Sequence, residues 1–180
     1  MGVFDPPPLE DSRGDSDPIN NSIPTSPRMN REKATKYYKL ARVTADLFSK
    51  DPSTKVGCIL LAPESLQVLS LGYNGMPRGI CETIPERWER PIKYSYVEHS
   101  ERNCLYNACR SGTCTNGAIA VTTLFPCCDC CRALIQSGIK TIVTTEPDAS
   151  DPRWGSDFQV SQIMIEESKV NLVLLRPDEM

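Results

Sequence analysis

At 180 residues, 39% of them hydrophobic and 24% charged, the chain suits one globular domain with a real core and is too short for two large ones. No apolar run is long enough to cross a bilayer, and the N-terminus lacks the basic-then-apolar pattern of an export signal. The nine cysteines therefore read as reduced thiols of a cytoplasmic protein, serving as packing residues or metal ligands. Residues 1–29 carry five acids against two bases, and the remaining 18 acids are balanced by 18 bases. A neutral domain lacks the electrostatic footprint of a polynucleotide binder and fits small ligands better.

In chain order, the first thirty residues hold six prolines and little that can be buried. Residues 1–29 thus read as a flexible, acidic, proline-rich arm, and 30–180 as the folded domain. Asn30 is a candidate N-cap. Behind it Ala34, Tyr37, Tyr38, Ala41, Ala45 and Phe48 recur at helical spacing over Arg31 to Lys50. "DPSTK" stops that helix. Residues 56–62 and 66–73 read as two strands of a hairpin turning at Pro63 to Ser65, and "NGMPRG" follows as a turn-rich loop.

Residues 80–97 show no assignable pattern. A helix is expected from His99 to Arg110, a strand over 118–124, a helix from Cys128 to Gln136 and a strand over 140–145. A helix from about Gln159 to Lys169 and a strand over 170–175 complete the domain. After the hairpin, strands and helices alternate. That order predicts a three-layer α/β/α sandwich on a five-stranded mixed sheet, with parallel later strands and helices on both faces.

Chemistry concentrates at two helix starts. His99, the one histidine of the chain, and Glu101 open one helix in "EHSER"; "PCCDCC" opens another with four thiols in six positions. Zinc prefers nitrogen and sulfur donors, and a catalytic zinc keeps three protein ligands with the fourth place for water. Pro126 fixes the turn into the second helix, so Cys127 and Cys130 face one way on its first turn. Cys128 and Cys131 point further round, into packing. The predicted ligand set is His99, Cys127 and Cys130. Glu101 need not bind the metal and is the expected general acid and base. A redox dithiol and a structural zinc gripped by four thiols are the alternative readings of the cysteine cluster. Cys58, Cys81, Cys104, Cys109 and Cys114 read as packing or surface thiols.

H-x-E followed by P-C-x-x-C is the signature of zinc deaminases. With "SKDPSTKVGCILL", "LGYNGMPRG", "EHSERNCLYNA" and "TLFPCCDCCRALIQSGIK", the chain resembles the deoxycytidylate (dCMP) deaminase family of the cytidine deaminase superfamily, from about Tyr37 to Leu175. It departs from the family at Ser100, where alanine is usual, and at Cys104-Leu105, where Ala-Ile is usual. The tyrosine often found after the fourth strand is also missing.

The resemblance implies hydrolysis of dCMP to dUMP and ammonia by zinc-activated water. Glu101 would protonate N3 and then help ammonia leave. Asn74 would contact the sugar 3′-hydroxyl, Ser100 would lend its backbone, the carbonyl near Phe125 would accept the amino group, and Lys55 and Arg78 would approach the phosphate. It further implies a hexamer activated by dCTP and inhibited by dTTP, with Mg2+. The loop Gly72, Tyr73, Asn74, Gly75, Met76, Pro77 and Arg78 would help form that effector site. Rival readings are a deaminase of another base carrier (nucleoside, CMP, 5-substituted dCMP, a riboflavin-pathway pyrimidine or tRNA adenosine) and a nucleotide-binding module whose zinc is structural.

Overall fold

Asn30 opens helix α1 (Arg31–Phe48), its side chain accepting from the Lys33 backbone N–H as a cap should. The computed structural model describes residues 29–176. The arm read over 1–29 lies outside them except for Met29, which is buried in the same cluster as Ala34 and Tyr38. Ala34, Tyr38, Ala41 and Ala45 form the inward stripe of α1. It rests so closely on β1 (Gly57–Leu61) that a Cβ at Gly57 would stand 2.0 Å from the Ala41 carbonyl oxygen. Glycine is required there by space.

All five residues of β1 are buried, which marks a strand covered on both faces. Its side chains alternate between two clusters. Ile59 and Leu61 join the α1 side with Val121, Val143 and Val173. Cys58 and Leu60 join the other side with Leu105, Leu134, Phe158 and Ile165. Strand β2 (Val68–Tyr73) pairs antiparallel with β1 across a bulge at Leu60/Leu61. The second strand begins two residues later than its pattern suggests, because the buried Leu66 takes a left-handed conformation (φ 59°) that closes the turn.

The sheet order is β2-β1-β3-β4-β5, where β3 is Ile119–Thr122, β4 Thr141–Thr145 and β5 Asn171–Leu175. β3 is antiparallel to β1, whereas β3, β4 and β5 are mutually parallel. Helices α3 (Ser100–Arg110), α4 (Cys128–Gln136) and α5 (Gly155–Glu167) cover the face opposite α1. Crossovers of one hand put α4 and α5 on the same side. The expected α/β/α sandwich on a mixed five-stranded sheet is what the chain forms. Residues 80–97 contain a short 3-10 helix (Pro85–Trp88) and a single turn of helix, α2 (Lys93–Tyr96). Among the described residues no helix is long and apolar enough to cross a membrane.

Register gathers one end of the sheet. Cys58 at the start of β1 faces Thr122 at the end of β3, and Gly57 faces Tyr73 at the end of β2. The carboxyl ends of the parallel strands open on this side, where α/β sheets place ligands.

Candidate metal centre and active site

Both metal-binding stretches sit at helix entrances. His99 is the N-cap residue of α3 (φ −79°, ψ 154°) and Cys127 that of α4 (φ −68°, ψ 169°). Extended backbone at each cap turns the side chain back across the helix start, and Cys130 follows one turn into α4. Arg102 ties the two entrances together. It pairs with Glu98, which also accepts from the His99 backbone N–H at 2.9 Å, and reaches Asp129 of α4 at 3.5 Å. The start of α3 lies directly on β2. A Cβ at Gly72 would meet the Ser100 carbonyl oxygen at 2.5 Å and the Cys104 nitrogen at 2.4 Å.

The His99 Nδ1 atom lies 3.4 Å from Cys127 Sγ and 3.5 Å from Cys130 Sγ, and the three donor atoms all lie within 4.8 Å of one another. Ligands at ordinary zinc–nitrogen and zinc–sulfur distances on a tetrahedron stand about 3.6 Å apart. The residues present therefore fit a tetrahedral zinc. Cys128 and Cys131 turn away, their thiols on the Asp157 and Ser161 carbonyls of α5 at 3.2 and 3.5 Å. That answers which of the two C-x-x-C pairs faces the histidine.

Electrostatics singles out Cys127 as the thiolate. The Cys127 thiol is lowered to about 4, first by the hydrogen bond from Cys130 and then, against burial, by His99. Cys130 is raised well above the ordinary thiol range by that same bond and by burial, so the pair shares one proton with Cys127 as the thiolate. Burial works against a charged His99, but the Cys127 thiolate and Glu101 outweigh it and raise its pKa. Glu101 is 4% exposed. Burial pushes its carboxyl up, only partly offset by His99, and the Ser100 hydroxyl donates to its Oε2 at 2.9 Å.

His99, Ser100, Glu101, Phe125 and Cys127 line one cavity of about 320 Å³, and Asn74 lines it too. Phe125 packs edge-on against Phe158 at 5.5 Å, forming an apolar wall. The Asn74 amide is fully used by the protein. Its oxygen accepts from Ser49 Oγ and the Val56 N–H, both at 2.8 Å, while its nitrogen donates to Asp51 Oδ2 and the Thr54 carbonyl. It holds the wall of the cavity.

The remaining expected residues stand in different places. Lys55 does not line the cavity; its exposed ammonium donates to the Asp46 carbonyl at 3.1 Å, drawn to the end of α1. Arg78 pairs with Asn107 and lines a second concavity of about 420 Å³ with Tyr73, Gly75, Met76 and Pro77. Gly72 and Asn74 do not line that second concavity, because one is covered by α3 and the other is turned to residues 49–56 on the wall of the first cavity.

Residues without a sequence signal complete the cavity. Lys93 is buried against Asp51 at 2.6 Å and donates to Ser53 Oγ at 2.7 Å. Trp154 stands edge-on to His99 with centroids 5.7 Å apart, and Tyr94 stands edge-on to Trp154 at 6.1 Å. The Asp51 turn, accepting from the Ser53 and Thr54 N–H groups, gave no signal beyond "DPSTK" ending the first helix.

Residues 31–146 match the family described as the cytidine and deoxycytidylate deaminase zinc-binding region. The chain belongs to this deaminase family. It is 33% identical over 146 residues to the "uncharacterized deaminase in luxG 3′ region" of Aliivibrio fischeri, covering 81% of this chain and 95% of that protein. To human deoxycytidylate deaminase it is 36% identical over 101 residues, 53% of this chain and 54% of the human one, so it spans about half the length of that relative. The dCMP deaminase of cyanophage S-TIM5, solved with dCMP and dUMP, shares the fold with a TM-score of 0.66 at 23% identity, covering 82% of this deaminase chain and all of the phage one.

Proposed function

We propose that this deaminase hydrolyses dCMP to dUMP and ammonia. One observation carries the reading: a histidine and two cysteine donors converge at tetrahedral spacing beside a buried glutamate, in a cavity suited to a small ligand. The relatives named deoxycytidylate deaminases support the choice of substrate. His99, Cys127 and Cys130 would hold zinc, which would supply a water whose proton is lost near neutral pH. Glu101 would take that proton and deliver it to pyrimidine N3 as the hydroxide adds to C4, then carry the added hydroxyl's proton to the amine as the C4–N4 bond breaks and ammonia leaves. Its raised pKa suits a group that must both accept and return a proton. The Ser100 hydroxyl fixes the carboxylate it donates to, and Phe125 and Phe158 exclude water beside the ring. A structural zinc would need a fourth donor. Among the described residues only three converge, and the neighbouring thiols bond to α5.

Effector control belongs to this reading as well. The second concavity, beside the "GYNGMPRG" turn, is where dCTP or dTTP with Mg2+ would bind, in a hexameric assembly. The test is turnover of dCMP, CMP, deoxycytidine and dCTP, each with and without dTTP, by wild type and Glu101→Gln. Glu101→Gln is expected to lower kcat by about 100- to 10,000-fold with zinc content unchanged. Substantial activity in that variant rejects the role of Glu101, and no turnover of dCMP by wild type rejects the substrate.

A further inference from the structure

Three cationic side chains line the catalytic cavity: Arg90, Lys93 and Arg153. Two are already neutralised. Lys93 is buried against Asp51, and Arg153 reaches the Asp151 carboxylate at 3.4 Å. Arg90 makes no ion pair among the described residues. Its Nε donates to the Tyr94 hydroxyl at 2.9 Å, and its guanidinium carbon stands 5.9 Å from the centre of the Tyr94 ring. That bond orients the guanidinium plane and leaves both Nη groups as a two-pronged donor, the shape that matches a phosphate.

The ring contacts show how this fork relates to the reaction centre. His99 meets Trp154 edge-on, and Trp154 meets Tyr94 edge-on at 87°. Trp154 therefore links the metal ligand to the residue that holds Arg90 along one wall of the cavity. The acids that line the cavity are Asp51, taken by Lys93, Glu101 beside the metal ligands, and Glu146, Asp148 and Asp151 on the segment between β4 and α5. Asp148 accepts from the Ser150 N–H, and Asp151 from the Arg153 and Trp154 N–H groups. A phosphate in the cavity is therefore drawn to Arg90, the lining guanidinium with no ion pair among the described residues. The geometry points to Arg90 as the group that receives the 5′-phosphate, with Tyr94 as its positioning residue. The assignment rests on the dCMP reading above.

The experiment compares kcat/KM for dCMP and for deoxycytidine in wild type, Arg90→Gln, Arg90→Lys, Tyr94→Phe and Arg153→Gln. Arg90 is exposed, so its replacement leaves the fold in place. Arg90→Gln is expected to lower the dCMP-to-deoxycytidine ratio by about 10- to 100-fold, the usual loss for a charged hydrogen bond. The loss should fall mainly on KM, and inhibition by inorganic phosphate should weaken with it. Arg90→Lys, which keeps charge but not the fork, should fall between. Tyr94→Phe should raise KM for dCMP while kcat stays near wild type, and Arg153→Gln should change the ratio less than Arg90→Gln. Wild type without dCMP turnover sinks the reading of the reaction. A wild-type preference for dCMP that survives Arg90→Gln, or that Arg153→Gln erodes equally, sinks the assignment of Arg90 alone.

Discussion

Replacing Lys93 with methionine tests whether the wall of the cavity hangs on one buried ion pair. Lys93 and Asp51 have side chains 7% and 1% exposed, 2.6 Å apart. Methionine keeps the apolar stem but leaves a carboxylate buried without its cation, which typically costs about 3–5 kcal/mol. Asp51 still accepts from the Ser53 and Thr54 N–H groups and from Asn74, so the lower end, about 3 kcal/mol, is expected. In a domain of this size that lowers Tm by about 6–12 °C.

The pH dependence has a definite sign. Burial pushes the Asp51 carboxyl up, yet Lys93 and the two backbone N–H groups bring it below its ordinary 3.8. A depressed carboxyl stabilises the fold above its unfolded pKa and loses that contribution as pH falls through the folded one. Without Lys93, burial dominates and Asp51 takes up its proton at higher pH. The Tm gap between wild type and Lys93→Met should therefore be widest near neutrality and close on acidification. Thermal unfolding of Lys93→Met, Asp51→Asn and the double variant measures the coupling, expected at about 1–3 kcal/mol. A Tm loss under about 2 °C, or a strictly additive double variant, refutes the clamp.

The two cysteine pairs should separate cleanly by elemental analysis. Cys127→Ala or Cys130→Ala should lose nearly all of about one zinc per chain, while Cys128→Ala and Cys131→Ala keep it; equal loss from all four would overturn the ligand set. Gly72→Ala should force α3 off β2, since the new Cβ meets backbone atoms at 2.4 and 2.5 Å. The expected cost is about 1–3 kcal/mol with a drop in kcat as Glu101 moves, read by unfolding and turnover together; a variant with wild-type Tm and kcat would refute the close seating.

What the sequence made legible was local. The Asn30 cap, the Ala34, Tyr38, Ala41 and Ala45 stripe of α1 and the alternation of strands and helices follow from short-range spacing and appear where expected, whereas Phe48, on the same spacing, is 51% exposed. The metal donors were legible because each half lies within a few residues of a helix start. Element ends were less so. The last helix begins at Gly155 rather than near Gln159, since the Asp151 turn that leads into it looks like loop. Residues 80–97 were opaque because what fixes them is remote: Lys93 finds Asp51 42 residues away, and no periodicity announces a single turn of helix. Trp154 and Tyr94 gave no signal for the same reason, since their places depend on the segment joining β4 to α5 folding back over α3.

The double duty of "GYNG" bears on how such chains are sorted by pattern. Gly72 exists to let a helix lie on a strand, and Asn74 exists to knit three segments into one wall. Packing alone demands both letters, whatever ligand the turn meets. Their presence in a genome therefore reports an intact scaffold and is silent about feedback.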